Sequence, residues 1–132
     1  MKTAGINTLG KTERLKSRKT IAGLFAQGKK MMIFPFRLVY LVKEGGYELK
    51  AGFTVSSANF PKAVDRNRIK RLSREAYRLQ KSRLEEMLKI NRLSVNLFFI
   101  YTGRELPVFS AVQRTVQALL NKLIHQLGEG NA

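Results

Sequence analysis

Residues 62–78 read KAVDRNRIKRLSREAYR, a segment that sets seven Lys and Arg side chains against two acids. In and just beyond it, Ile69, Leu72, Ala76 and Leu79 fall three, four and three residues apart, the spacing of one stripe on an α-helix. The pattern predicts a long helix from about 63 to 88 whose apolar stripe packs on a sheet. Arg66, Lys70, Arg74 and Arg78 recur every four residues on a second stripe, with Arg68 and Arg71 beside it. Like charges at that spacing repel, and interleaved Glu and Lys would stabilise an isolated helix better. Something outside the chain must favour so one-signed a face.

Upstream, YELKAGFTVSS alternates with period two: Ala51, Phe53 and Val55 on one face, Gly52, Thr54 and Ser56 on the other. The first set is core; the second forms a small, polar, open face. MIFPFRLVYLVK is rich in β-branched and aromatic residues, and the turn candidate Glu44-Gly45-Gly46 separates it from the strand just described. These features predict a β-hairpin, with Pro35 near a strand start. Before it, Ser17 is a candidate N-cap for a short helix bearing Ile21, Leu24 and Phe25, and Gly28 supplies its stop. Residues 1–12 and 128–132 lack periodicity and are expected to be mobile tails.

Downstream, LSVNLFFIY places Leu93, Val95, Leu97, Phe99 and Tyr101 on one strand face. Ser110 and Gln113 fit a capping box opening a last helix, lined by Val112, Val116, Leu119, Leu120, Leu123 and Leu127 and ending before Gly128. The expected fold is α+β, an α-β sandwich of order α-β-β(-β)-α-β-α, in a single domain over residues 1–132.

The 25 Lys and Arg against 9 Asp and Glu give a net charge of +16, and residues 1–30 and 62–83 hold nearly all of it. Such an excess repels itself and points to a polyanion, nucleic acid first. A basic membrane-surface helix would need its apolar face free for lipid, yet the stripe on 63–88 is required by the sheet. No run approaches the roughly 18 apolar residues of a spanning helix, and no signal-peptide core opens the chain. The absence of cysteine excludes disulfides and thiolate metal sites and suits the cytoplasm. His125 is the only histidine, no P-loop or GxGxxG occurs, and the nine acids are scattered, so no catalytic residue is assigned. Phe25, Phe36 and Tyr40 could stack unpaired bases, although aromatics beside strands more often belong to the core.

The stretch KAVDRNRIKRLSREAY closely resembles the arginine-asparagine-arginine signature of the bacterial ribonuclease P protein family. RLKSRKTIAGLFAQG is similar to that family's basic N-terminal segment and first helix, and LKAGFTVS to the strand entering the signature; the likeness spans roughly residues 14 to 127. The resemblance implies a left-handed crossover around the signature helix, an unusual hand. It implies a protein that is monomeric in isolation and joins a catalytic RNA subunit. The RNA removes the 5′ leader of precursor tRNA with Mg²⁺ held mainly by RNA. By position, Arg66, Asn67, Arg68, Lys70, Arg71 and Arg74 would face the RNA subunit. Phe25, Leu38, Tyr40, Thr54 and Ser56 would line a cleft for the single-stranded leader. The chain departs from the family pattern at Ile21, where phenylalanine often stands, and at Ser57 and Ala58, where lysines do. A less aromatic and less cationic cleft is expected. A ribosome-associated RNA-binding or RNA-chaperone protein is the alternative from another functional class.

Overall fold

Pro35 sits just before a strand start, as expected, and divides the apolar run at 31–43 into two strands. In the computed structural model, which describes residues 18–130, β1 (Lys29–Ile33) and β2 (Phe36–Glu44) form an antiparallel hairpin closed by the pair Ile33 and Phe36. The basic segment 1–12 and Ser17 lie outside the described residues. Around the hairpin stand α1 (Arg18–Gln27), β3 (Glu48–Val55), α2 (Ala63–Gln80), α3 (Ser82–Asn91), β4 (Leu93–Tyr101) and α4 (Phe109–Gly130).

The sheet order is β1-β2-β4-β3, so the hairpin expected between the strands flanking Gly45 and Gly46 does not form. β4 lies between them, antiparallel to β2 and parallel to β3. β4 buries one face from Leu93 to Tyr101 and Phe98 on the other, and a strand that meets core on both faces is best served by a neighbour on each side. Gly45 and Gly46, both at positive φ, turn the chain across the start of β4: the Gly45 N–H donates to the Arg92 carbonyl and Ser94 Oγ to the Gly45 carbonyl.

The helix expected over 63–88 is two helices meeting at Lys81. Gln80 Nε2 donates to the Ala76 and Gln113 carbonyls, tying the end of α2 to α4. Lys81 is buried and forms an i,i+4 ion pair with Glu85 at 3.6 Å. The buried side of α2 is Ile69, Ser73, Ala76 and Tyr77, with Leu72 partly buried. Leu79, expected in this stripe, is 44% exposed, because the buried arc of α2 runs through Ser73 and Tyr77 and leaves Leu79 at its far edge. Ser73 is accommodated because its hydroxyl donates to the Ile69 carbonyl. Arg92 at φ 53 ends α3.

α4 begins before Ser110: the N–H groups of Ala111 and Val112 donate to the Val108 carbonyl, which leaves Ser110 exposed inside the first turn rather than capping it. The helix also continues through Gly128, the expected stop, to Gly130. Its apolar line from Val112 to Leu127 is buried as the spacing predicts.

One sheet face carries the main core under α2, α3 and α4, where Phe53, Phe99 and Tyr77 have ring centroids 5.3 to 5.8 Å apart. Such contacts add about 0.5–1.5 kcal/mol per pair beyond burial and weld α2 to β3 and β4. The other face has a small core of Leu24, Val39 and Phe98, capped by α1 with Ile21, Leu41 and Ile100 around it.

Candidate RNA interface

The cationic side of α2 divides into groups used by the fold and groups left to solvent. Arg66 Nη1 donates to the Phe60 and Pro61 carbonyls, each at 2.8 Å, and so fastens the loop entering the helix. Arg78 is paired with the Glu75 carboxylate. That hydrogen bond holds the Glu75 carboxyl below its ordinary range. Asn67, Arg68 and Arg71 are exposed, and Lys70 and Arg74 are half-buried. Arg68 and Arg71 form no hydrogen bond or ion pair among the described residues, so their guanidinium forks are available for phosphate.

The cleft residues expected from the resemblance do not share a face. Leu38 is fully buried and Tyr40 is 3% exposed, both in the main core under α4. The Tyr40 hydroxyl donates to Gln126 Oε1 at 2.9 Å, and burial pushes its ionisation up. Phe25 lies across the sheet from them, 41% exposed and edge-on to Phe98 with centroids 5.3 Å apart. Thr54 is on Phe25's side of the sheet, since its neighbours Phe53 and Val55 enter the main core. Ser56 follows β3, where its Oγ accepts from the Asn59 N–H at 3.4 Å and its carbonyl from the Phe60 N–H.

The strand register supplies the residues that belong on the α1 face. Thr54 pairs with Ile100 and Ile100 with Arg37, which pairs with Met32, giving one row across all four strands. A second row runs Gly52, Phe98, Val39, Lys30, and a third Lys50, Asn96, Leu41. The open floor beside α1 is therefore Ile100 and Arg37 rather than Leu38 and Tyr40, with Val39 and Phe98 buried beneath α1. Period two could not decide between them because Leu38, Val39, Tyr40 and Leu41 are all apolar or aromatic. The alternation of β4, which singles out Phe98 and Ile100, was the signal that could have located the floor.

At the end of the sheet nearest the start of α2, three loops are bound together. Asn59 Nδ2 donates to the Gly103 carbonyl at 3.2 Å and the Thr102 carbonyl at 3.4 Å, while the Thr102 N–H donates to the Pro35 carbonyl at 2.7 Å. Ser57 and Ala58, the departures from the family pattern, are exposed on the same connection. Among the described residues no three His, Asp or Glu side chains converge to hold a metal ion, and no helix is long and apolar enough to cross a membrane.

Exposed cations on α2 and, on the other face of the sheet, a mixed polar and apolar surface beside α1 offer the chemistry of backbone neutralisation and of base contact. The chain is similar in sequence and in fold to known proteins. The family described as Ribonuclease P matches residues 9–124. The ribonuclease P protein component of Porphyromonas gingivalis is 38% identical over 120 residues, covering 87% of this chain and 85% of that protein. That of Chlorobium phaeobacteroides is 32% identical over 130 residues, covering 89% of each. The solved Staphylococcus aureus RNase P protein shares the fold at a TM-score of 0.68 with 20% identity, covering 86% of this chain and 96% of that one. With the signature on α2, the α+β scaffold and a match along most of its length, the chain belongs to the ribonuclease P protein family.

Proposed function

We propose that this chain is the protein subunit of a ribonuclease P that works in the cytoplasm: it binds a catalytic RNA and the 5′ leader of precursor tRNA. It thereby assists Mg²⁺-dependent hydrolysis of the phosphodiester joining the leader to the tRNA body. The observation that carries this reading is the exposed Asn67, Arg68 and Arg71 on the signature helix. Guanidinium groups there neutralise RNA phosphates and release counterions, and Asn67 adds hydrogen bonds to sugar or backbone. Lys70 and Arg74 extend the same contact, and Arg66 supports it by holding the loop that precedes the helix. The leader lies on the α1 face between Phe25 and Thr54, over Ile100 and Arg37.

Mg²⁺ supplies the Lewis acid and activated water when bound to the RNA subunit. The protein contributes positioning, which lowers the barrier by holding the scissile bond and leader in one geometry. The protein is monomeric before it meets RNA. Equilibrium binding to the catalytic RNA, ribosomal RNA, and precursor and mature tRNA tests the reading. Tight binding to the catalytic RNA, with the assembled complex preferring precursor to mature tRNA, is expected. Equal affinity for all of them would favour a general RNA chaperone instead.

A further inference from the structure

Phe34, on the turn between β1 and β2, is 71% exposed. A lone exposed apolar residue is ordinary on a protein surface. Three features set this one apart. Its turn is fastened, because the Pro35 carbonyl accepts from both the N–H and the Oγ1 of Thr102, at 2.7 and 3.0 Å. Beside it lies a cavity of about 360 Å³ whose lining includes Phe34, Pro35, Gly103, Arg104 and Glu105. Gly103 is packed too closely into that lining to carry a side chain: a Cβ there would come within 2.5 Å of the Tyr101 hydroxyl and 3.1 Å of Pro35.

The position of the cavity suggests what enters it. The row Thr54, Ile100, Arg37, Met32 crosses the sheet to β1, and Met32, itself 49% exposed, is two residues from Phe34. With strands about 4.8 Å apart, that row spans about 14 Å from β3 to β1. A nucleic-acid strand crossing the floor beside α1 therefore arrives at the turn that carries Phe34. The cavity offers an aromatic face, the Arg104 cation and the Glu105 carboxylate as an acceptor, a set suited to an unpaired base with its flanking phosphate.

We propose that the Phe34–Arg104 cavity holds a base of the precursor-tRNA leader, beyond the part of the leader lying between Phe25 and Thr54. The base stacks on Phe34, and Arg104 meets the adjacent phosphate. This rests on the ribonuclease P reading above and adds a second leader contact to it.

The test uses holoenzyme reconstituted with a bacterial ribonuclease P RNA and three substrates: precursor with a long leader, precursor with a leader too short to cross the floor to β1, and mature tRNA. Phe34→Ala and Arg104→Ala should each weaken the long-leader precursor by about fivefold or more, in line with loss of one aromatic–base stack, and leave the other two unchanged. Phe34→Trp should retain binding and Phe34→Leu should not, whereas a role in packing alone would be rescued by Leu. Thermal unfolding of each variant should match the wild type, since Phe34 lies outside the core. Unchanged affinity for the long-leader precursor would overturn the proposal while leaving the ribonuclease P reading intact. Equal losses on all three RNAs would place the contact elsewhere on RNA and overturn the leader assignment. Wild-type protein that fails to support cleavage would overturn the underlying reading, and this proposal with it.

Discussion

Arg66 and Arg68 stand two positions apart in the same signature, yet the structure gives them different surroundings. Arg66 donates to the Phe60 and Pro61 carbonyls, whereas Arg68 and Arg71 face solvent. Arg66→Ala should therefore lower stability by about 1–2 kcal/mol as its charge-assisted bonds disappear, read as a shift in the denaturant midpoint, as well as weakening RNA binding. Arg68→Ala with Arg71→Ala should leave the midpoint in place. That pair should flatten the slope of log affinity against log salt by about 0.7–0.9 for each phosphate no longer neutralised. An unchanged slope would move the RNA surface off α2. Tyr40 makes the opposite case, a residue expected in a cleft and found in the core. Tyr40→Phe should cost about 0.5–1.5 kcal/mol, the net worth of one hydrogen bond, without changing the preference for precursor over mature tRNA. The signature cations were legible from spacing alone. The clamp made by Arg66 was not, because its acceptors are backbone carbonyls whose positions depend on how the loop before α2 is folded.

At the scale of elements, β4 and α4 were readable because their buried positions follow clean periods of two and of three to four. β2 was not, since four consecutive apolar or aromatic residues fit either face, and the error propagated to the cleft. The supposed hairpin at Gly45 and Gly46 failed for a related reason. Local turn chemistry reports that the chain reverses, but not that a strand from after the helices will insert into the gap. α1 depends on one close approach: a Cβ on Gly28 would collide with the Leu24 carbonyl and sit 3.0 Å from both the Tyr40 carbonyl and Val39 Cγ1. Gly28→Ala should cost about 1–3 kcal/mol by overpacking and should displace α1 from the sheet. Leader discrimination should fall with it, while affinity for the RNA subunit through α2 holds. Loss of RNA-subunit binding without loss of leader discrimination would contradict the separation of the two surfaces.

For the whole molecule, the decisive quantity is a net charge of +16, carried on a scaffold in which, among the described residues, no three acidic or histidine side chains converge on a metal. The fold holds cations on one helix and an open face beside another; on the function proposed above, bond cleavage falls to the RNA partner. That division is tested most directly by measuring 5′ leader removal from precursor tRNA in Mg²⁺ at low salt, using rigorously RNA-free protein with and without a bacterial ribonuclease P RNA. The protein alone should cleave nothing, and adding the RNA should produce cleavage at the mature 5′ end. Site-specific cleavage by the RNA-free protein would contradict that division.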